Sequence, residues 1–161
     1  MTVSQGMWRR YTVRPATASD MDSLTRLGEQ MHQETSYRNI PYNERNVAEY
    51  ISFVIANSNS HCLFVAEENG NVIGFIGGYL DRYIFSDECM AFDTVFYVDK
   101  AHRGTWAAKL LIDAFVNWAR KRNVWEICLG TSSGINTERI GRFYERLGFT
   151  CVGSIYKLSL R

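Results

Sequence analysis

Apolar residues recur along the chain in short blocks, each with its own period. Tyr11-Thr12-Val13-Arg14 alternates and predicts a short strand. Met21, Leu24, Leu27 and Met31 then fall at helical spacing, and Ser19 or Asp20 is placed to cap them, so a helix is expected through Glu29 and beyond. The stretch from Thr35 to Asn43 holds Pro41 and reads as a loop. Val47, Tyr50, Ile51, Val54 and Ile55 mark a second helix, which runs out in the turn-prone Asn57-Ser58-Asn59-Ser60.

The middle of the chain switches to a strand period. Cys62 to Glu67 is an apolar run, Glu68-Asn69-Gly70-Asn71 supplies the positive φ angles of a tight hairpin, and Val72 to Leu80 returns. Met90 to Val98 predicts a further strand. A polar turn follows, Asp99-Lys100-Ala101-His102-Arg103-Gly104-Thr105, and then a helix whose broad apolar face carries Ala107, Leu110, Leu111, Ala114, Phe115, Trp118 and Ala119. Val124 to Leu129 is another strand. Strand, helix and strand in that order predict a parallel pair with a right-handed crossover. A short helix is expected from Asn136 to Leu147, stopped by Gly148, and Phe149 to Val152 and Ser154 to Leu160 read as closing strands. The order βααβββαβαββ is mixed α/β. It predicts a mostly antiparallel sheet of about six to seven strands with a parallel central pair, flanked by about four helices.

The turn before the third long helix carries the first chemical signal. A chain that turns straight into a helix leaves backbone N–H groups without partners, and these, with the helix dipole, suit a phosphate or pyrophosphate. Arg103 adds a fixed positive charge there. Composition changes this picture little. At 161 residues, a single domain spanning 1–161 is expected, with no repeat or low-complexity linker. A net charge of +1 gives no broad field for nucleic acid or an anionic membrane. Cys62, Cys89, Cys128 and Cys151 are far apart, which suits free thiols in a reducing cytoplasm rather than a zinc site. His32, His61 and His102 are scattered, and no metal site is expected. Trp8, Arg9 and Arg10 precede no apolar run, so neither a signal peptide nor a membrane span is expected, and the first few residues should fray.

Three features lie in one order: the strand ending Tyr97-Val98-Asp99, the turn Ala101-His102-Arg103-Gly104, and Asn136 followed by Arg142-Phe143-Tyr144-Glu145-Arg146-Leu147-Gly148-Phe149. This resembles the GNAT family of acyl-CoA-dependent N-acetyltransferases over almost the whole chain, with Phe-Tyr-Glu-Arg-Leu-Gly-Phe the more specific part. The family's turn reads Arg/Gln-x-x-Gly-x-Gly/Ala. Arg103 and Ala108 match it, but Trp106 stands where the first motif glycine is expected.

The resemblance implies direct transfer of an acetyl group from acetyl-CoA to a primary amine. It places the cofactor along Phe96, Val98, Arg103, Gly104, Thr105, Trp106, Ala107, Ala108, Lys109, Asn136 and Tyr144. Val98 would offer backbone groups to the pantetheine arm as an added strand does. Asn136 would contact the same arm or merely cap its helix. Arg103 and Lys109 are otherwise surface charges. An alkyl ammonium with a pKa near ~10.4 costs roughly 4 kcal/mol to deprotonate at neutral pH; a carboxylate close by, or one acting through water, can take that proton, and the departing thiolate must be stabilised or protonated, for which a phenol is a suitable donor. Tyr144 is the expected acid, or else a core residue with its hydroxyl at the edge. Asp93, a lone acid in an apolar strand, is the expected base, unless it faces solvent or pairs with an arginine. Glu88 in the preceding loop is the alternative base. Cys128 is near the expected thioester, but direct transfer needs no acyl-cysteine.

The acceptor, a small-molecule amine or a peptide, is expected between the loop from Ser36 to Tyr42 and the loop from Asp81 to Cys89. The acids Asp81, Asp87 and Glu88 favour a cationic amine there. Two competing readings remain: a CoA-binding or partner-binding module that has lost catalysis, which Trp106 supports, and a nucleic-acid binder using Arg120, Lys121 and Arg122 with Trp118 and Trp125, which the near-neutral charge opposes. A homodimer is compatible with the resemblance.

Overall fold

The structure, a computed structural model, describes residues 10–161. The expected fraying of the first residues therefore falls outside the described residues. The elements are β1 (Tyr11–Pro15), α1 (Met21–Glu34), α2 (Glu44–Ala56), β2 (His61–Glu68), β3 (Asn71–Arg82), β4 (Cys89–Val98), α3 (Ala107–Arg120), β5 (Glu126–Cys128) and α4 (Thr137–Arg146). Single 3-10 turns precede α1 and follow β4.

The strands form one sheet in the order β1-β2-β3-β4-β5. Neighbours are antiparallel up to β4, and β4 pairs β5 in parallel. The Asn69-Gly70 reversal between β2 and β3 takes φ of 52° and 79°, the two positive values that this dipeptide suits. Helices cover both faces. α3 packs on β1, β2 and β3, burying Leu111, Ile112, Phe115 and Ala119 with Ile73, Ile76 and Ala91. On the opposite face, Leu24 and Leu27 of α1 and Ile51 and Val54 of α2 pack on Val65, Phe75 and Tyr97. Sequestering these side chains from water on two faces is the main source of stability.

The expected six to seven strands are corrected to five. Phe149 to Val152 and Ser154 to Leu160 form no strand. Alternation identifies which side chains would share a face, but a strand also needs a hydrogen-bonding neighbour. β5 is only three residues long. Val152, Ile155, Tyr156, Leu158 and Leu160 stay exposed, and Lys157 is drawn instead to the Ser132 carbonyl and the Tyr37 hydroxyl. Among the described residues no helix is long and apolar enough to cross a membrane.

Two local features of β4 position the site. Gly77 pairs with Val95 and Gly78 with Asp93, so Thr94 is an extra residue that bends the strand. Gly78 is required there, because a Cβ would lie 2.3 Å from the Phe92 carbonyl oxygen and 2.5 Å from the Phe115 ring. Beyond Phe92, which pairs with Cys128, β4 and β5 separate.

Candidate active site

The fork between β4 and β5 begins at Asp93. On this side the edge of β4 from Asp93 to Val98 has no strand beside it, while its other edge pairs with β3 as far as Val98. Asp93 Oδ1 accepts the Gly130 amide at 2.7 Å, which ties β4 to the loop after β5. Tyr144 reaches the same place from α4: it is 7% exposed, and its hydroxyl points to the Gly130 carbonyl at 3.5 Å. Phe143 and Phe149 flank its ring.

The environment sets the two groups apart. Burial pushes the Asp93 carboxyl up to about 6, against the opposing pull of the Gly130 N–H. It is therefore largely ionised at neutral pH yet basic enough to take a proton. Burial, with the Asp93 charge, raises the Tyr144 phenol, so that it keeps its proton. Burial and the neighbouring acids Glu126 and Asp93 also raise the Cys128 thiol, which disfavours a thiolate nucleophile.

At the far end of the free edge the chain turns into α3. Asp99 closes the turn by accepting the Ala101 amide at 3.0 Å, and Gly104 takes φ +80°. A Cβ at Gly104 would meet nothing within 4 Å, so glycine is favoured there by torsion rather than by space. The Thr105 hydroxyl donates to the His102 carbonyl at 2.7 Å and accepts the Ala107 amide at 3.3 Å. Among the described residues, the amides of Gly104, Thr105, Trp106, Ala108 and Lys109 find no acceptor. Trp106 has helical backbone angles (φ −71°, ψ −14°), which align its backbone N–H with the others, and the residue is 46% exposed.

Arg103 has a different setting from the one its motif suggests. Its Nε donates to the Val98 carbonyl at 2.9 Å, its Nη2 meets Glu34 Oε2 at 2.5 Å, and its guanidinium lies 5.3 Å from the centre of the Tyr97 ring. Tyr97 donates to the other Glu34 oxygen at 2.8 Å. Burial would raise the Glu34 carboxyl, but the bonds from Arg103 and Tyr97 outweigh it and hold it below its usual range. Sequence reasoning missed Glu34. It lies 69 residues from Arg103, at the end of a helix that carries no motif. Gly130 was missed as well, because a backbone amide leaves no sequence signal.

Of the other expected residues, Phe96 and Ala108 are half-buried against the core on the α3 side, and Ala107 is fully buried. Lys109 pairs with Asp113 at 2.5 Å. Asn136 sits in the left-handed region (φ 48°) and makes no side-chain capping bond, leaving its amide free among the described residues. Glu88 lies exposed in the β3–β4 connection, at the opposite end of β4 from the turn, and is not brought to Tyr144. Trp118 is buried against Phe115, and Arg122 is engaged by the Ser58 and Asn59 carbonyls. Among the described residues no cluster of three or more His, Cys, Asp or Glu could hold a metal.

Comparisons with known proteins bear on this geometry. The family model for the acetyltransferase (GNAT) family matches residues 27–149. No curated protein sequence matches the chain. Among solved structures, glucosamine-6-phosphate N-acetyltransferase from Arabidopsis thaliana superposes with a TM-score of 0.74 at 14% identity, covering 94% of this chain and 99% of that one. AAC(6')-Iy in complex with a bisubstrate analog has a TM-score of 0.75 at 19% identity, covering 94% and 98%. A possible acetyltransferase from Clostridium difficile 630 has 0.73 at 16% identity, covering 94% and 98%. These likenesses establish the fold, and the family match spans the separating strands, the turn and the Tyr144 helix together. The chain belongs to the GNAT family of acetyltransferases.

Proposed function

We propose that this protein moves an acetyl group from acetyl-CoA to a primary amine. One observation carries the reading: an edge of β4 without a neighbouring strand runs from Asp93 to Val98, where Arg103 meets the Val98 carbonyl, and ends at a turn with unpartnered amides, and an ionisable carboxyl and a buried phenol face its start. An extended arm with alternating amides fits such an edge, and a diphosphate fits such a turn. The donor's identity as acetyl-CoA, rather than a longer acyl-CoA, belongs to the proposal.

In this reading Asp93 takes a proton from the incoming ammonium, directly or through one water. The freed amine forms the new C–N bond at the thioester carbon. As the C–S bond breaks, the second amine proton leaves and the sulfur receives one from Tyr144, which regains it from solvent. The balance is ammonium plus thioester giving amide, thiol and one proton. The developing oxyanion needs preorganised N–H donors. Glu88, exposed at the far end of β4, is the weaker candidate for the base.

The test is a melting-temperature titration with acetyl-CoA and CoA, followed by thiol release with a panel of amines. A dose-dependent rise and amine-dependent thiol release are expected. No shift at millimolar ligand overturns the reading. Binding without turnover on any amine would favour the catalytically impaired binding module that Trp106 raises. Tyr144→Phe should lower turnover by ~100-fold with CoA binding kept, and an unchanged rate removes its role as acid.

A further inference from the structure

The acceptor side of the molecule carries uncompensated positive charge. An open pocket of about 370 Å³ lies between the α1–α2 loop and the β5–α4 loop, lined by Thr35, Ser36, Arg38, Asn39, Gly134 and Ile135. Its two walls are joined. The Ser36 amide donates to the Ser133 carbonyl at 3.0 Å, and a Cβ on Gly134 would meet the Ser36 side chain at 3.2 Å. The wall that holds Gly134 begins at Gly130, whose amide binds Asp93. The intervening chain can span at most ~14 Å, which is small-molecule distance.

Charge distinguishes this pocket from its surroundings. Arg38 makes no side-chain hydrogen bond or ion pair among the described residues, although Arg14, Arg45 and Arg103 each meet a carboxylate. Lys157 is held on the two chain segments that form the walls, and by neutral partners only: the Ser132 carbonyl, the Tyr37 hydroxyl at 2.8 Å, and the Tyr37 ring at 4.2 Å. Hydrogen bonding to Lys157 and to Ser132, against the opposing effect of burial, lowers the Tyr37 phenol below its usual range. No Asp or Glu lines the pocket. The acids Asp81, Asp87 and Glu88, expected from the sequence to greet a cation, are exposed around the β3–β4 connection instead. A simple cationic amine entering here would meet like charge, worth ~1 to ~4 kcal/mol per close pair. An anionic group would instead find a guanidinium fork, the Ser36 hydroxyl and the Asn39 amide.

We propose that the acceptor is a small primary amine that also carries a carboxylate or phosphate, with the anionic group seated on Arg38 and Lys157 beside it. This rests on the acetyltransferase reading. It goes further by assigning the charge of the substrate's non-reacting end and the two residues that select it.

Matched pairs test it: glucosamine 6-phosphate against glucosamine, and an amino acid against its amide, with acetyl-CoA saturating. The expected result is at least a tenfold preference in kcat/KM for the anionic member of one pair, and the responding pair identifies phosphate or carboxylate. Arg38→Ala should erase that preference through KM with kcat held, and Arg38→Lys should restore part of it. Equal rates within both pairs, or a loss confined to kcat, overturns the proposal while leaving acetyl transfer intact. If no amine turns over but CoA binds, the same pairs are compared by melting temperature with CoA present. A larger shift for an anionic member that vanishes in Arg38→Ala supports the site, and equal shifts in both proteins overturn it. Failure to bind CoA at all would be a failure of the acetyltransferase reading, and it is visible in the first titration.

Discussion

At the scale of single residues, the proposed mechanism gives Asp93 effects of opposite sign on function and on stability. Its carboxyl is raised from an ordinary 3.8 to about 6 by burial. The protonated form suits the fold, so its stabilising contribution is complete below pH ~4 and lost as the pH climbs past ~6. At pH 7.5 the ionised group costs stability, and it is this ionised form that the proposed mechanism uses. Asp93→Asn keeps an acceptor for the Gly130 amide and removes the charge. The variant should melt higher at pH 7.5, by ~2–4 °C for each kcal/mol recovered, with the gain shrinking below pH 4. Its kcat/KM should fall ~100-fold near pH 7 and climb toward the amine's own pKa, whereas the parent rises through pH 6 and levels. A variant that melts lower at pH 7.5, or that matches the parent's pH–rate profile, contradicts this account. Glu34 has a similar character. It neutralises Arg103, so Glu34→Gln should tighten CoA binding several-fold at low salt, an effect that weakens as salt is added. Calorimetric titration reads this directly, and weaker binding would show that Glu34 positions Arg103 productively.

At the scale of elements, most of the architecture is legible because periodicity and turn chemistry agree. Asn69-Gly70 announces its hairpin, and the apolar stripe of α3 its buried face. The fork is not legible in the same way. It depends on where β4 stops pairing with β5 and on the Thr94 bulge, and both are outcomes of packing between distant segments. Gly74, Gly77 and Gly78 give β3 no side chain at three positions. Gly78 admits the Phe92 backbone and the Phe115 ring, a contact that no local pattern encodes. Gly78→Ala should accordingly cost more than 3 kcal/mol, since backbone must move to admit the methyl group. Gly77→Ala meets mainly side-chain tips, the nearest at 3.1 Å, and should cost markedly less. Denaturant midpoints of the two variants check this, and equal losses would remove the close approach as the cause.

At the scale of the whole molecule, ion pairs stitch the first strand to the rest. Arg14 of β1 binds Asp20, just before α1, at 2.7 Å and Glu67 of β2 at 2.6 Å. Asp20 is buried, and the Arg14 hydrogen bond holds its carboxyl down at about 2, against the cost of burial. That contribution is present above pH ~4 and lost as the pH falls through ~2, the reverse of Asp93. The parent should therefore lose stability both below pH ~4 and on passing pH ~6, and Asp20→Asn should flatten the acid limb alone. Melting curves across pH 2–8 separate the two limbs.

The strand edge running from Asp93 to Val98 has a further consequence. A row of backbone groups without a neighbouring strand is a template on which any foreign β-segment can assemble. A charge directed inward at the head of such a row is one of the devices by which natural sheets discourage that association, and Asp93 occupies that position. The carboxylate that takes the proton in the proposed mechanism would thereby also disfavour pairing of a foreign strand along this edge.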